Sequence, residues 1–331
     1  MRAIVVDQFG PPEGLRVGEV AEPLPGPDEV LVRVHAAPVN YVDLLILGGT
    51  YQFLPPLPFT PGKGPAGVVA ALGAGVTGLQ IGDRVLAMAE EGGYAEAVRV
   101  RADQCYRLPP SMSFNEAASM SLVYDTAWFA LRERARMAPG ETVLVLGASG
   151  GVGRAAVQLA RAMGARVLAG ILRQEKAASA REAGADAVID LSRQDLRDAL
   201  REEVWATTEG HGADVILDPL GGDVFDAALR ALAWGGRLVV IGFAAGRIPT
   251  VKTNYLLVKN IEVSGLQVSD YRKRRPAQMA ACFMEIFELY EEGRIKPAPA
   301  QVFPLDQAGE ALAAVRDRRL AGRAVLRLRE E

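Results

Sequence analysis

The sequence predicts an α/β protein in two parts, a β-rich N-terminal third and a doubly wound parallel sheet behind it. Three observations predict this. Short strand-like runs punctuated by glycine and proline fill the chain before residue 115. Six almost continuously apolar runs then alternate with helical segments. A glycine-rich turn, "GASGGVG" at 147–153, joins the first of those runs to a helix. At 331 residues the chain is also long for one domain.

The elements follow in order. "EVLVRVHAAPV" (29–39) alternates apolar and polar residues, the period of a half-buried strand. "GVVAALG", "GDRVLAM" and "GYAEAVRV" are short strands between glycine turns, which suits a compact barrel-like β domain. From Ser113 the spacing of "SFNEAASMSLVYDTAWFALRERARM" is helical, with Ser113 as N-cap and Glu116 completing a capping box. The six apolar runs are 141–148, 165–172, 186–191, 214–220, 236–243 and 260–266. Strands buried on both faces of a parallel sheet have this continuous character. An amphipathic helix, "PAQMAACFMEIFELYEEGRI", opens the tail, and a second helix and a last strand, "GRAVLRL", close it. The expected division is 1–122 for the first domain, 123–266 for the second, and 267–331 returning to complete the first.

Composition narrows the function. The net charge is −3 and there is no long basic run, so neither nucleic acid nor an anionic membrane is an expected partner. "YRKRRP" (271–276) is short and reads as a solvated loop. No apolar run approaches the roughly 18–20 residues of a membrane helix, and the N-terminus is too briefly apolar for a signal peptide. A cytoplasmic location is expected. Cys105, Cys282, His35 and His211 are too few and too scattered for a structural zinc site. Neither cysteine has a nucleophile context.

The turn after the strand 141–146 carries the clearest chemistry. A helix opening at about Gly151 presents unpaired N–H groups and the positive end of its dipole to an anion. Gly150 lets the backbone approach a pyrophosphate, and Gly153 lets the helix pack close to the strand. Ala148, Ser149, Gly150, Gly151, Val152 and Gly153 are therefore expected to hold a dinucleotide. At the tip of the second strand, where an NAD-preferring site carries an acid, the chain has Leu172, Arg173 and, three residues on, Lys176. Two cations favour a 2′-phosphate, so NADPH is the expected cofactor, although Glu175 lies in the same turn.

With these motifs placed, the chain resembles the medium-chain dehydrogenase/reductase superfamily, and within it the zinc-independent, ζ-crystallin-like quinone oxidoreductases. The resemblance spans nearly the whole chain and rests on "VNYVDLLILGGTY", "PFTPGKGPAGVVAALGAGVTGLQIGDRV", "GGYAE", "GETVLVLGASGGVGRAAVQLA", "LDPLGG" and "LLVKNIEVSG". It implies a GroES-like catalytic domain, a Rossmann domain, an active site in the cleft between them, and a homodimer through the sixth strand. In zinc-dependent relatives a His–Glu pair stands where this chain has Lys63-Gly64, and a Cys ligand where it has Val39-Asn40-Tyr41. The resemblance therefore implies no metal site.

It also implies roles for residues. Asn40 lies near the nicotinamide, and Asp43 holds the loop or lines the cleft. Tyr51 either hydrogen-bonds a substrate carbonyl or plugs a gap. Lys63 either stabilises enolate charge in the cleft or is tied up in a salt bridge or solvent. Thr126 meets the carboxamide, with Tyr124 on the same wall. Gly242 and Phe243 end the fifth strand, and Gly265 and Leu266 the sixth, near the nicotinamide. Arg318, in the last helix, reaches the adenosine phosphate. The implied reaction is hydride transfer from NADPH to a quinone or α,β-unsaturated carbonyl. Two rivals remain: an enoyl-thioester or 2-haloacrylate reductase, and a crystallin-like protein that binds NADPH with little turnover.

Overall fold

The computed structural model describes residues 1–330. The chain forms two compact units. The first comprises Met1–Leu122, Arg272–Phe287 and the tail from Pro297, and the second comprises Val123–Tyr271 and Glu288–Lys296.

The first unit is built on the long strand Glu29–Val39. One edge of it pairs antiparallel with Ala66–Leu72. The other pairs with Ala97–Arg101 along Glu29–Arg33, and with the C-terminal strand Arg323–Arg327 along Ala36–Val39. Arg84–Ala87 and Cys105–Arg107 extend the sheet on one side, and Ala300–Pro304 extends it on the other. Val30, Val32, Val34, Val69, Val85 and Leu326 are buried in its core. Each such side chain contributes about 1.5–3 kcal/mol when removed from water. The antiparallel pairing with Ala36–Val39 thus ties the chain's last strand into its first large sheet.

The second unit holds a six-stranded parallel sheet in the order Ala187–Asp190, Arg166–Ile171, Thr142–Leu146, Ala213–Asp218, Leu232–Val240, Glu262–Gly265. This is the doubly wound order, reversing beside Thr142–Leu146, and ligands bind such sheets outside the carboxyl ends of the strands. Val143, Leu144 and Val145 are buried. Their continuous apolar character follows from helices covering both faces.

The structure departs from expectation at four places. Ser113–Met137 is not one helix. Phe114–Met120 and Val123–Phe129 are separated at Leu122, which takes φ +63°, and a π-helical turn spans Ala130–Arg134. The fifth strand begins at Leu232 and ends at Val240, so Gly242 and Phe243 lie in the loop beyond it. Residues 288–296 lie with the second unit. There Gln158 bonds both ways to Lys296, accepting from its N–H at 2.8 Å and donating to its carbonyl at 2.9 Å. Finally, the basic stretch is not a solvated loop. Val268–Arg274 is helical, and Arg272 is wholly buried against Glu90. No helix of the described residues is long and apolar enough to cross a membrane.

Candidate active site

The phosphate turn has the geometry its glycines require. The strand Thr142–Leu146 stops, Gly147 takes φ +63°, and the helix Gly151–Ala162 opens with Gly150 at its N-cap and no side chain capping it. Its first N–H groups therefore remain available to an anion. A Cβ on Gly153 would lie 2.2 Å from the Gly147 carbonyl oxygen and 2.7 Å from Ala148 Cα. Only glycine permits that helix-to-loop approach. Ala148 is buried and donates its N–H to the Gly170 carbonyl, whereas Ser149 and Gly150 are exposed at the lip. The cradle fits a pyrophosphate.

Arg173, Lys176, Gly242, Phe243, Gly265 and Leu266 lie just past or at the carboxyl ends of strands of the same sheet. Arg173 and Lys176 follow the strand Arg166–Ile171, and Arg173 Nε lies 3.3 Å from Glu175. Gly265 ends its strand, paired with Val240, and Leu266 donates to the Val240 carbonyl. Gly242 and Phe243 follow Val240, so these four residues cap adjacent strands. The neighbouring turn is organised by Asp218, whose Oδ1 accepts from the N–H groups of Leu220 (2.8 Å) and Gly221 (3.0 Å). Burial pushes the Asp218 carboxyl above its usual range despite those bonds. Thr126 is buried on the helix Val123–Phe129. The Tyr124 hydroxyl is committed to Gln158 Oε1 at 2.9 Å and to the Lys296 carbonyl, so it is a structural group. Arg318 is not in the last helix, which ends at Arg316. It follows the C-cap Asp317 with φ +54°. It belongs to the first unit, whereas the phosphate turn belongs to the second.

The first unit gathers Asn40, Tyr51 and Lys63 around a buried polar network. Asn40 is 5% exposed and stands at the N-cap of the helix Tyr41–Leu47. Its N–H donates to Asp43 Oδ2 at 2.8 Å, and the Tyr94 hydroxyl donates to the same oxygen at 2.9 Å. Asp43 is fully buried. Burial pushes its carboxyl up to about 6, although the Asn40 N–H, the Tyr94 hydroxyl and the charges of Lys63 and Arg323 pull the other way. Asp43 is thereby the post that holds the loop.

Lys63 is turned inward by its flanking glycines. Gly62 takes φ +97° and Gly64 φ +63°. A Cβ on Gly64 would lie 1.9 Å from Ser121 Oγ, and one on Gly62 2.3 Å from the Tyr94 ring. Lys63 is consequently 6% exposed, with Nζ 2.6 Å from Glu90 Oε2. Arg272 Nη1 holds the other Glu90 oxygen at 2.9 Å. Burial pushes the Glu90 carboxyl up, but Arg272 and Lys63 outweigh it and hold the group below its usual range. Lys63 Nζ also lies 5.9 Å from the Tyr51 ring centroid. Tyr51 meets Phe53 edge-on, and Lys273 sits over Phe53 at 5.8 Å. Of the two readings of Lys63, the ion pair is therefore the one present, inside the protein rather than in solvent.

Glu90, Arg272, Tyr94 and Arg323 were not singled out from the sequence. Glu90 and Tyr94 lie in a loop, Arg272 in a short helix and Arg323 at the start of the last strand, and nothing local in the sequence shows which of them meet. Among the described residues no three His, Cys, Asp or Glu side chains are grouped to hold a metal ion. His211 is paired with Asp214 at 2.7 Å, and burial pushes the Cys105 thiol up to about 12.

Comparison with known proteins shows the family. The alcohol dehydrogenase GroES-like domain model matches residues 26–110, and the zinc-binding dehydrogenase model matches residues 151–285. The chain is 37% identical to the quinone oxidoreductase-like protein 2 homolog of Nematostella vectensis, over 99% of this chain and 89% of that protein. The chain belongs to the zinc-independent quinone oxidoreductase family of the medium-chain dehydrogenases/reductases. Mouse quinone oxidoreductase is 36% identical over 94% of this chain and 92% of its own length. The crystal structure of Escherichia coli quinone oxidoreductase complexed with NADPH matches with a TM-score of 0.89. It is 30% identical, over 99% of this chain and all of that one. This family member is accordingly an oxidoreductase with a GroES-like domain and a Rossmann domain.

Proposed function

We propose that this oxidoreductase reduces a quinone or an α,β-unsaturated carbonyl, drawing its reducing equivalent from NADPH. The observation that carries the reading is the uncapped helix N-terminus at Gly151, with Gly153 packed under the Gly147 carbonyl. That cradle, with Gly242, Phe243, Gly265 and Leu266 at the ends of neighbouring strands, would hold the cofactor. Thr126 would meet its carboxamide. Arg173 and Lys176, with no acid at the strand tip itself, would hold a 2′-phosphate, and Arg318 is proposed at the same end. The E. coli relative's complex with NADPH supports this choice. When bound, the cofactor supplies the hydride, and the protein supplies orientation and charge.

The first unit's residues act on the acceptor. The Tyr51 hydroxyl would donate a hydrogen bond to its carbonyl and pass on the proton that completes reduction, with Asn40 near the nicotinamide. The Lys63 ammonium, paired with Glu90 and 5.9 Å from the Tyr51 ring, would act as a positioning charge beside Tyr51 rather than as a direct contact of the developing oxyanion. We further propose a cytoplasmic homodimer through the edge strand Glu262–Gly265, beside which Leu257 and Val258 stand exposed.

A second reading has an observation of its own. An enoyl-thioester or 2-haloacrylate reductase needs an open cation for an acidic tail. Lys63 is occupied by Glu90, but Lys273 and Arg275 are exposed, and Lys273 sits beside Phe53.

Consumption of NADPH with 9,10-phenanthrenequinone, 1,4-benzoquinone, acrolein, crotonyl-CoA and 2-chloroacrylate tests both readings. Turnover of the quinones and acrolein supports the first. Turnover confined to the two anionic acceptors moves the assignment to the second. NADPH binding with no oxidation by any of them identifies a crystallin-like binding protein instead.

A further inference from the structure

The strand pairing puts an arginine from the far end of the chain against Asn40. Ala324 pairs with Val39 and Val325 with Pro38, so the next position along this antiparallel register sets Arg323 opposite Asn40. Arg323 Nη2 lies 2.6 Å from Asn40 Oδ1, and its Nε donates to the Ser119 carbonyl at 3.3 Å. A guanidinium carries donors only, so the amide atom that faces it must be the oxygen. This fixes the sense of the amide by chemistry. Nδ2 then lies on the far side, where it is buried and meets no acceptor of the described chain.

An unsatisfied buried donor is destabilising, and each one calls for an explanation, a ligand among them. Asn40 has little means of relieving it. Its N–H is held by Asp43, which is in turn held by Tyr94, and a flipped amide would point two donors at a guanidinium. Asn40 is itself 5% exposed, so water does not supply the missing acceptor freely.

We infer that Arg323 is a positioning residue that fixes the Asn40 amide so that Nδ2 donates to an oxygen of a bound ligand. That oxygen is either on the nicotinamide half of NADPH or the carbonyl of the acceptor. The inference rests on the proposed function for the identity of the ligand, and on the first unit alone for the clamp.

Three variants test it. Asn40→Asp keeps an oxygen for Arg323 and replaces the Nδ2 donor with an acceptor. Arg323→Met removes the clamp, and Arg323→Lys retains a donor. Asn40→Asp is expected to lose roughly tenfold in ligand engagement, and Arg323→Met somewhat less. Fluorescence titration of NADPH without acceptor locates the oxygen. A raised Kd assigns it to the cofactor, whereas an unchanged Kd with a fall in kcat/KM for quinone assigns it to the acceptor. Arg323→Lys should recover most of the loss. In the Asn40→Asp background, Arg323→Met should add less than about twofold, because both changes remove one function. Wild-type binding and kinetics in both single variants, or losses that multiply in full, overturn the inference.

A ligand-free measurement keeps the clamp testable by itself. In protein labelled with 15N at asparagine, the Asn40 side-chain amide is the pair of resonances lost in Asn40→Asp. Arg323→Met must move it, and an unmoved pair contradicts the clamp. A wild-type protein that does not bind NADPH refutes the functional reading instead.

Discussion

Asp43→Asn is expected to change how the stability of the protein depends on pH. Asp43 is fully buried, and its carboxyl rises from 3.8 to about 6 in the fold. In the unfolded chain it ionises at its ordinary value, so between these limits the unfolded state binds fewer protons than the native state. The contribution of Asp43 is therefore fully present below about pH 3.8 and is lost as pH rises through about 6. Each unit of difference corresponds to about 1.4 kcal/mol. Integrating between pH 4 and pH 7 gives a loss of about 2–3 kcal/mol. The asparagine does not titrate, and its Oδ1 can accept from the Asn40 N–H and the Tyr94 hydroxyl as the carboxylate does. The assay is thermal unfolding of both proteins at pH 4, 5, 6 and 7, read as the difference in Tm between them. Whatever constant offset the amide introduces cancels in that slope. At about 2–4 °C per kcal/mol for a unit of this size, the variant should gain roughly 4–12 °C on the wild type across the range. A difference that stays flat with pH would refute the reasoning, because a carboxyl ionised throughout carries no such dependence.

Other predictions follow from neighbouring contacts. Lys63→Met removes one of the cations that hold Glu90 and should lower the Tm, at a cost of about 1–3 kcal/mol, since Glu90 keeps Arg272 and partial exposure. Adding Glu90→Gln should not restore it fully, because the ion pair between Arg272 and Glu90 is then lost as well; full recovery in the double variant would show that Arg272 draws nothing from Glu90. Gly153→Ala drives a Cβ to 2.2 Å from the Gly147 carbonyl, so NADPH affinity measured by fluorescence should fall at least tenfold. Arg173→Ala combined with Lys176→Ala should raise the KM for NADPH about tenfold or more and leave NADH unchanged, as expected for charge-assisted contacts of about 1.5–3 kcal/mol. Tyr51→Phe should lower kcat about a hundredfold or more with the NADPH Kd unaltered, and an unchanged kcat would return Tyr51 to a packing role.

What could be read from sequence was what is local. The strand Glu29–Val39, the capping box at Ser113 and Glu116, and the turn from Leu146 to Gly151 each lie within one short stretch, where period and turn chemistry determine the backbone. The helix break at Leu122 was not legible, because apolar spacing continues through it and only the approach of Gly64 to Ser121 marks the place. The end of the fifth strand was misplaced because apolar character continues through Ile241 and Phe243 after pairing has stopped. The polar network was hidden for a different reason. Glu90 and Arg272 are 182 residues apart, and Asn40 and Arg323 are 283 apart. Polar groups so far apart in sequence look solvated until the fold brings them together. Lys63 lay between the two cases, since its glycines marked a constrained turn while the acid that receives it did not announce itself.

The central claim is that NADPH is the hydride source for a conjugated acceptor. Single-turnover stopped-flow mixing of the purified protein with 9,10-phenanthrenequinone and NADPH, with and without deuterium at the transferable C4 position, tests it most directly. The account predicts loss of reduced-nicotinamide absorbance with a primary isotope effect, and slower turnover with NADH. No loss of absorbance with the quinone, or equal rates with NADH and NADPH, would contradict it.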